Sequence, residues 1–98
     1  MKTEDISDTR HIYTPERFVF DNYRRFRGAY QNLPEYIKLV NICMRDTHYI
    51  DSSALGMLLL LKKYAKENGF KMQITECNDN ILNILKFANL AEELNVKY

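Results

Sequence analysis

Along its whole length this chain alternates between short runs rich in β-branched and aromatic residues and longer segments of helical period. Strand followed by helix, repeated, is the pattern of an α/β sheet whose neighbouring strands are joined by helical crossovers. Arg10-His11-Ile12-Tyr13-Thr14 reads as a strand that Pro15 breaks. From Tyr23 the apolar residues Phe26, Tyr30 and Leu33 recur on one helical stripe, with Asp21 as the expected N-cap and Pro34 ending the helix near Asn32-Leu33. Tyr36 to Cys43 lacks a period of two, as expected of a central strand covered on much of both faces.

The second half repeats the pattern. Residues 44–50 form a polar turn that returns to an apolar pair. A helix then runs to about Asn68 and closes at Gly69, a residue suited to the left-handed C′ position. Its first half is apolar on nearly every side, so burial is expected there. Lys71 to Thr75 alternates as a strand does. Asp79 is the expected cap of a third helix with Ile81, Leu85 and Ala88 on one face. Leu90 to Tyr98 reads equally as a helical turn or as a last strand ending at Val96. Residues 1–9 read as a short edge strand around Ile6 or as a frayed end. The expected fold is a single α/β domain over residues 1–98. Its mixed, mostly parallel sheet would have about four or five strands, with helices packed mainly on one face.

Ninety-eight residues with 46% apolar content supply one modest core. Seven Tyr and five Phe with balanced charge argue against disorder. A formal net charge of +1 gives no global field toward nucleic acid or acidic lipid. Cys43 and Cys77 lie far apart beside apolar neighbours, which favours buried free thiols over a disulfide framework or a metal site. The polar start, Met1 to Asp5, is not a secretion leader, and the longest apolar run, Ala54 to Leu61, is too short to span a bilayer. Together these point to the cytoplasm.

The segment that concentrates chemistry is Tyr49-Ile50-Asp51-Ser52-Ser53-Ala54-Leu55-Gly56-Met57-Leu58. It places a carboxylate and two hydroxyls in the turn that opens a buried helix. First-turn amides have no partner inside their helix, and an Asp51 or Ser52 oxygen can satisfy one. The same turn carries partial positive charge and tolerates a phosphate, which would add roughly −1.5 to −2 charge and three acceptors. From the residues alone, a plain N-cap cluster is the simpler reading.

This segment resembles the signature of STAS domains, a loop reading Ile-Asp-Ser-Ser/Thr-Gly-Leu-Gly before a helix. Ile50, Asp51, Ser52, Ser53, Leu55 and Gly56 match it, and Ala54 replaces the commoner Gly. Glu16 to Phe20 with Phe26 to Tyr30 resembles a proteobacterial branch of the anti-sigma factor antagonists, as does Cys77 to Ala91. The resemblance runs from about residue 10 to residue 96. It implies a partner switch rather than an enzyme, needing no cofactor of its own. The unphosphorylated form would bind an anti-sigma factor, often also the serine kinase. Phosphorylation on Ser52, or on Ser53 as the fallback, would release it, and a PP2C-type phosphatase would reverse the mark. Partner contacts are expected from Asp51, Ser52, Ser53, Tyr49 and Met57, on a monomer that touches neither nucleic acid nor membrane. Two other uses of such a domain stay open: a constitutive structural subunit of a lipid-transport ABC system, and a small-ligand or nucleotide sensor.

The remaining clusters have plainer readings. Arg17, Arg24, Arg25 and Arg27 lack a recognition helix or a stacking platform and read as a solvated face or a contact for an acidic partner. His11 and His48 have no ligands at metal spacing. His48 stands close to Asp51 and Ser52 in sequence, but no oxyanion-hole motif surrounds the serine.

Overall fold

The computed structural model describes all residues, Met1 to Tyr98. Two strands, β1 (Lys2–Ile6) and β2 (Thr9–Tyr13), form an antiparallel hairpin. The chain then crosses through a two-residue strand β3 (Arg17–Phe18), a 3₁₀ turn (Phe20–Asn22) and helix α1 (Tyr23–Tyr30). It returns as β4 (Leu39–Cys43), parallel to β2. A short β5 (Tyr49–Ile50), helix α2 (Ser52–Asn68), β6 (Lys71–Thr75) and helix α3 (Asp79–Phe87) complete the order. The main sheet runs β1-β2-β4-β6, with one antiparallel and two parallel pairings. The expected α/β class, the mixed sheet and its mostly parallel pairing are therefore observed. Residues 1–9 are resolved in favour of the edge strand.

Across β2, β4 and β6 side chains alternate between two faces. Ile12, Val40, Ile42, Met72 and Ile74 are buried in the core that also holds Phe26, Leu58, Leu61, Ile81 and Leu85. The intervening residues His11, Asn41, Gln73 and Thr75 form a polar ladder. Asn41 Oδ1 accepts from Gln73 Nε2 at 3.3 Å and from Thr75 Oγ1 at 3.1 Å, and its Nδ2 lies 3.0 Å from His11 Nδ1. Period-two alternation in β4 is obscured in sequence because Leu39 and Cys43, which share the face of Asn41, are apolar.

Several boundaries differ from expectation. Asp21 lies inside the 3₁₀ turn and does not cap α1; Asn22 occupies that cap position and its Oδ1 accepts from the Val19 amide at 2.9 Å. Asn78, not Asp79, caps α3, because its backbone is extended and its Oδ1 reaches the Ile81 amide at 2.8 Å. Ala88 is exposed rather than on the buried face. Helix α1 stops at Tyr30, before Asn32 turns to φ 52°. The central strand begins at Leu39, not Tyr36. Both readings of the tail hold in part: Leu90 to Asn95 makes turns, and Val96 then bridges in parallel to Ile74. Gly69 closes α2 at φ 77°, as expected.

Both cysteines are free thiols. Burial pushes Cys43 above the usual thiol range, helped by its 2.9 Å hydrogen bond to Glu76 Oε2. Burial likewise pushes Cys77 up to about 11, so neither is a reactive thiolate near neutral pH.

Candidate functional site

The Asp-Ser-Ser loop is held from beneath. β5 pairs in parallel with β3, in the register Arg17↔Tyr49 and Phe18↔Ile50. This two-residue ribbon was not legible in sequence. The amides of His48 and Tyr49 both donate to the Glu16 carbonyl, at 2.9 and 3.1 Å. Below them Thr47 Oγ1 donates to the Pro15 carbonyl at 2.8 Å. With that proton used, Thr14 is the donor in the 2.6 Å contact between the two hydroxyls, and the Cys43 carbonyl lies 3.4 Å away as a second acceptor for the same Thr14 proton. Thr47 and Thr14 are both buried, and Asn78 Nδ2 donates to the Thr47 carbonyl at 3.2 Å. Sequence reasoning missed Thr14 and Thr47, since two lone threonines 33 positions apart carry no distinguishing pattern.

Asp51 is the N-cap of α2, and both its oxygens are used. Oδ1 accepts from the Ala54 amide at 2.9 Å and Oδ2 accepts from the Phe20 amide at 3.3 Å. The carboxylate therefore fixes the start of α2 and ties the 3₁₀ turn to it. Capping thus falls to Asp51 rather than Ser52. Ser52 is the first residue of the helix and is exposed. His48 Nδ1 engages the Asp46 carbonyl at 3.0 Å, two residues back, and points its hydrogen bonding away from a triad.

The other expected contact residues divide. Tyr49 is 46% exposed, with the Arg17 guanidinium 4.4 Å over its ring. Ser53 is half-buried and lines a shallow hollow between the 3₁₀ turn and α2. Met57 lines the same hollow but is only 4% exposed, so it forms the floor and belongs to the core. The walls are residues the sequence reading did not pick. Phe20 is 64% exposed, Leu60 49% and Leu59 36%. The expectation that the first half of α2 is buried all round is corrected here. Ala54, Met57, Leu58, Leu61 and Ala65 face inward at helical spacing. Leu59 and Leu60, one and two positions past Leu58, necessarily turn out. Tyr23, expected in the core, also flanks the hollow, its ring stacked at 4° on Phe20 and its hydroxyl accepting from Arg27 Nη1 at 2.9 Å.

The STAS domain family model matches residues 2–98. The chain belongs to the STAS family. A STAS-domain containing protein of Pseudomonas aeruginosa is 33% identical over 76 residues, which are 78% of this chain and 75% of that one. The fold recurs in a Thermotoga maritima protein described as an anti-sigma factor antagonist, with a TM-score of 0.81 and 18% identity over 97% of this chain and 83% of that one. It recurs too in a sulfate transporter family protein of Wolinella succinogenes, with a TM-score of 0.74 and 20% identity over 91% of this chain and 74% of that one. The anion transporter Slc26a9 of mouse contains it as well, with a TM-score of 0.77 and 13% identity over 95% of this chain and 16% of that one. At these identities the three structures establish the shared STAS fold. No helix of this chain is long and apolar enough to cross a membrane.

Proposed function

We propose that this STAS domain is a cytoplasmic anti-sigma factor antagonist switched by phosphorylation of Ser52. The observation that carries the reading is the division of labour in the loop. Asp51 alone caps α2 and anchors Phe20, which leaves Ser52 exposed at the first helical position beside an uncovered apolar hollow. A phosphoryl group there meets unpaired first-turn amides and the positive end of a 17-residue helix, so the fold accommodates it. A partner seated on Tyr49, Ser53 and the hollow above Met57 would meet new negative charge at its edge.

In this reading the anti-sigma factor is also the serine kinase, or is accompanied by one, and a PP2C-type phosphatase removes the mark. The domain is their substrate, not an enzyme. Ser53 is the alternative acceptor. The test is partner affinity of the folded Ser52→Ala and Ser52→Glu variants, measured by titration calorimetry. Ser52→Ala should bind as the wild type does and Ser52→Glu at least about tenfold more weakly, a change of roughly 1.4 kcal/mol. Equal affinities would remove the switch and leave a constitutive scaffold.

A further inference from the structure

The hollow beside Ser52 has a charge and a shape of its own. Ser53, Gly56, Leu60 and Lys63 follow one another at helical spacing along the face of α2 that lines it, opposite Phe20 and Tyr23. Lys63, Arg27 and Leu60 line its continuation between α1 and α2, with Glu67 as the one acidic residue there. The 3₁₀ turn, α1 and α2 together hold six of the chain's fourteen basic residues (Arg24, Arg25, Arg27, Lys62, Lys63, Lys66) but only Asp21 and Glu67 of its thirteen acidic ones. Of these six, Arg27 and Lys63 line the groove, whereas Arg25 lies in another hollow with Glu16 and Asp46, and Lys62 and Lys66 lie in a third with Glu92 and Glu93. Arg27 is held at the groove by the Tyr23 hydroxyl.

Gly56 supplies a separate observation. A glycine in a helix interior is destabilising relative to alanine. A Cβ at Gly56 would meet nothing within 4 Å, so nothing in the domain's own packing requires glycine there. The missing side chain keeps the middle of the groove open to close approach from outside.

From the groove, its basic border and the bare backbone at Gly56, we infer that this face seats an amphipathic helix of the partner. Its apolar stripe lies between Phe20 and Leu60, its backbone crosses Gly56, and its flanks are acidic, facing Arg27 and Lys63. The inference rests on the reading of the Ser52 end as the partner-facing end, and it adds the partner's chemistry. An acidic helix is also the ligand that a phosphate on Ser52 repels. A concave groove between two helices fits a helix better than it fits a flat lipid surface.

The test is selection of displayed helical peptides on the purified full chain. The library fixes a Leu/Phe stripe and varies the flanking positions among Glu, Ser and Lys. Glu should be enriched over Lys by about tenfold on the wild type, and the Arg27→Glu/Lys63→Glu double variant should invert the preference. Gly56→Leu and Leu60→Asp should each lose the selected peptides, whereas Gly28→Leu, at an exposed α1 position equally free of neighbours, should keep them. Circular dichroism checks the fold of every variant. No enrichment, enrichment without charge bias, or a bias that survives the charge reversal overturns the inference. So does sedimentation with phosphatidylserine vesicles that Leu60→Asp abolishes, which would make this a membrane face. The same selection on Ser52→Glu separates the two readings. If acidic peptides are enriched there undiminished, the acidic partner stands and the switch fails. If the wild type shows no acidic bias while Ser52→Glu still weakens the anti-sigma partner, the switch stands and the acidic helix fails.

Discussion

Two pairs of hydroxyls bear on one loop and have opposite fates. Thr14 and Thr47 are buried and joined at 2.6 Å, and Thr47 passes its proton on to the Pro15 carbonyl. Ser52 and Ser53 open α2 at the surface, and the capping duty that serines commonly perform is taken by Asp51. The first pair holds the β3–β5 ribbon against the sheet. The second pair is relieved of structural duty. A hydroxyl that the fold does not need is one that a kinase can modify without unfolding its substrate. The contrast separates what supports the loop from what the loop presents.

The comparison breaks most readily at Thr47. Replacing it with Val deprives the Pro15 carbonyl of its donor and leaves Thr14 only its longer contact to the Cys43 carbonyl, 3.4 Å, inside a site with little access to water. The expected loss is about 1–3 kcal/mol, or roughly 5–20 °C of melting temperature for a domain of this size. The Thr14→Val/Thr47→Val double variant should lose less than the two single losses added, because the two side chains serve one chain of bonds. Denaturant titration of the four proteins measures this. Additive losses would mean that the two hydroxyls act separately.

Asp51 sits between the two classes, since it is structural in its bonds but lies at the proposed interface. Asp51→Ala should cost about 0.5–2 kcal/mol through the lost cap. Amide exchange should speed up at Ala54 and Phe20, the two donors it releases. Asp51→Asn keeps a carbonyl acceptor for Ala54 and should lose less. Slowed or unchanged exchange at Phe20 in Asp51→Ala would show that the turn is held by something other than this carboxylate.

What the sequence made legible follows the range of the interactions involved. Strand β6, the long α2 and its Gly69 stop are set by local period and by backbone conformations that few residues adopt, and they stand where the residues placed them, while β2 starts and ends one residue earlier than expected. The candidate loop was legible through its resemblance to a family and only as a helix cap through its physics. The caps of α1 and α3 were misplaced by one residue each. Asn78 and Asp79 both offer a carbonyl-type acceptor, and it is the extended backbone at Asn78 that lets its side chain reach the Ile81 amide; at α1 the chain enters through the 3₁₀ turn, so Asn22 is already helical and makes no side-chain cap bond to α1. The β3–β5 ribbon is two residues long and depends on partners 32 positions apart in the register Arg17↔Tyr49, which no local pattern reveals. The apolar hollow was hidden for another reason. In the run Met57 to Leu61 every residue is apolar, so the period that sends Leu58 and Leu61 inward and Leu59 and Leu60 outward leaves no trace in hydropathy.

The smallest expected effect on the fold is at Ser52, and it sharpens the comparison most. Ser52→Ala removes an exposed hydroxyl at a position where Asp51 already satisfies the cap, so stability should stay within about 0.5 kcal/mol of wild type. Ser52→Glu places a negative charge at the first helical position and should gain about 0.3–1 kcal/mol at low salt, with the gain shrinking as ionic strength rises. The same Glu is expected to weaken partner binding. A substitution that steadies the domain while loosening its complex cannot be acting through unfolding, so the two measurements together assign its effect to the interface. Thermal melts of the three proteins across a salt series, run beside the binding titrations, make the assignment. Should Ser52→Ala instead melt several degrees lower, Ser52 would carry structural load like Thr47, and the division between the two hydroxyl pairs would fail.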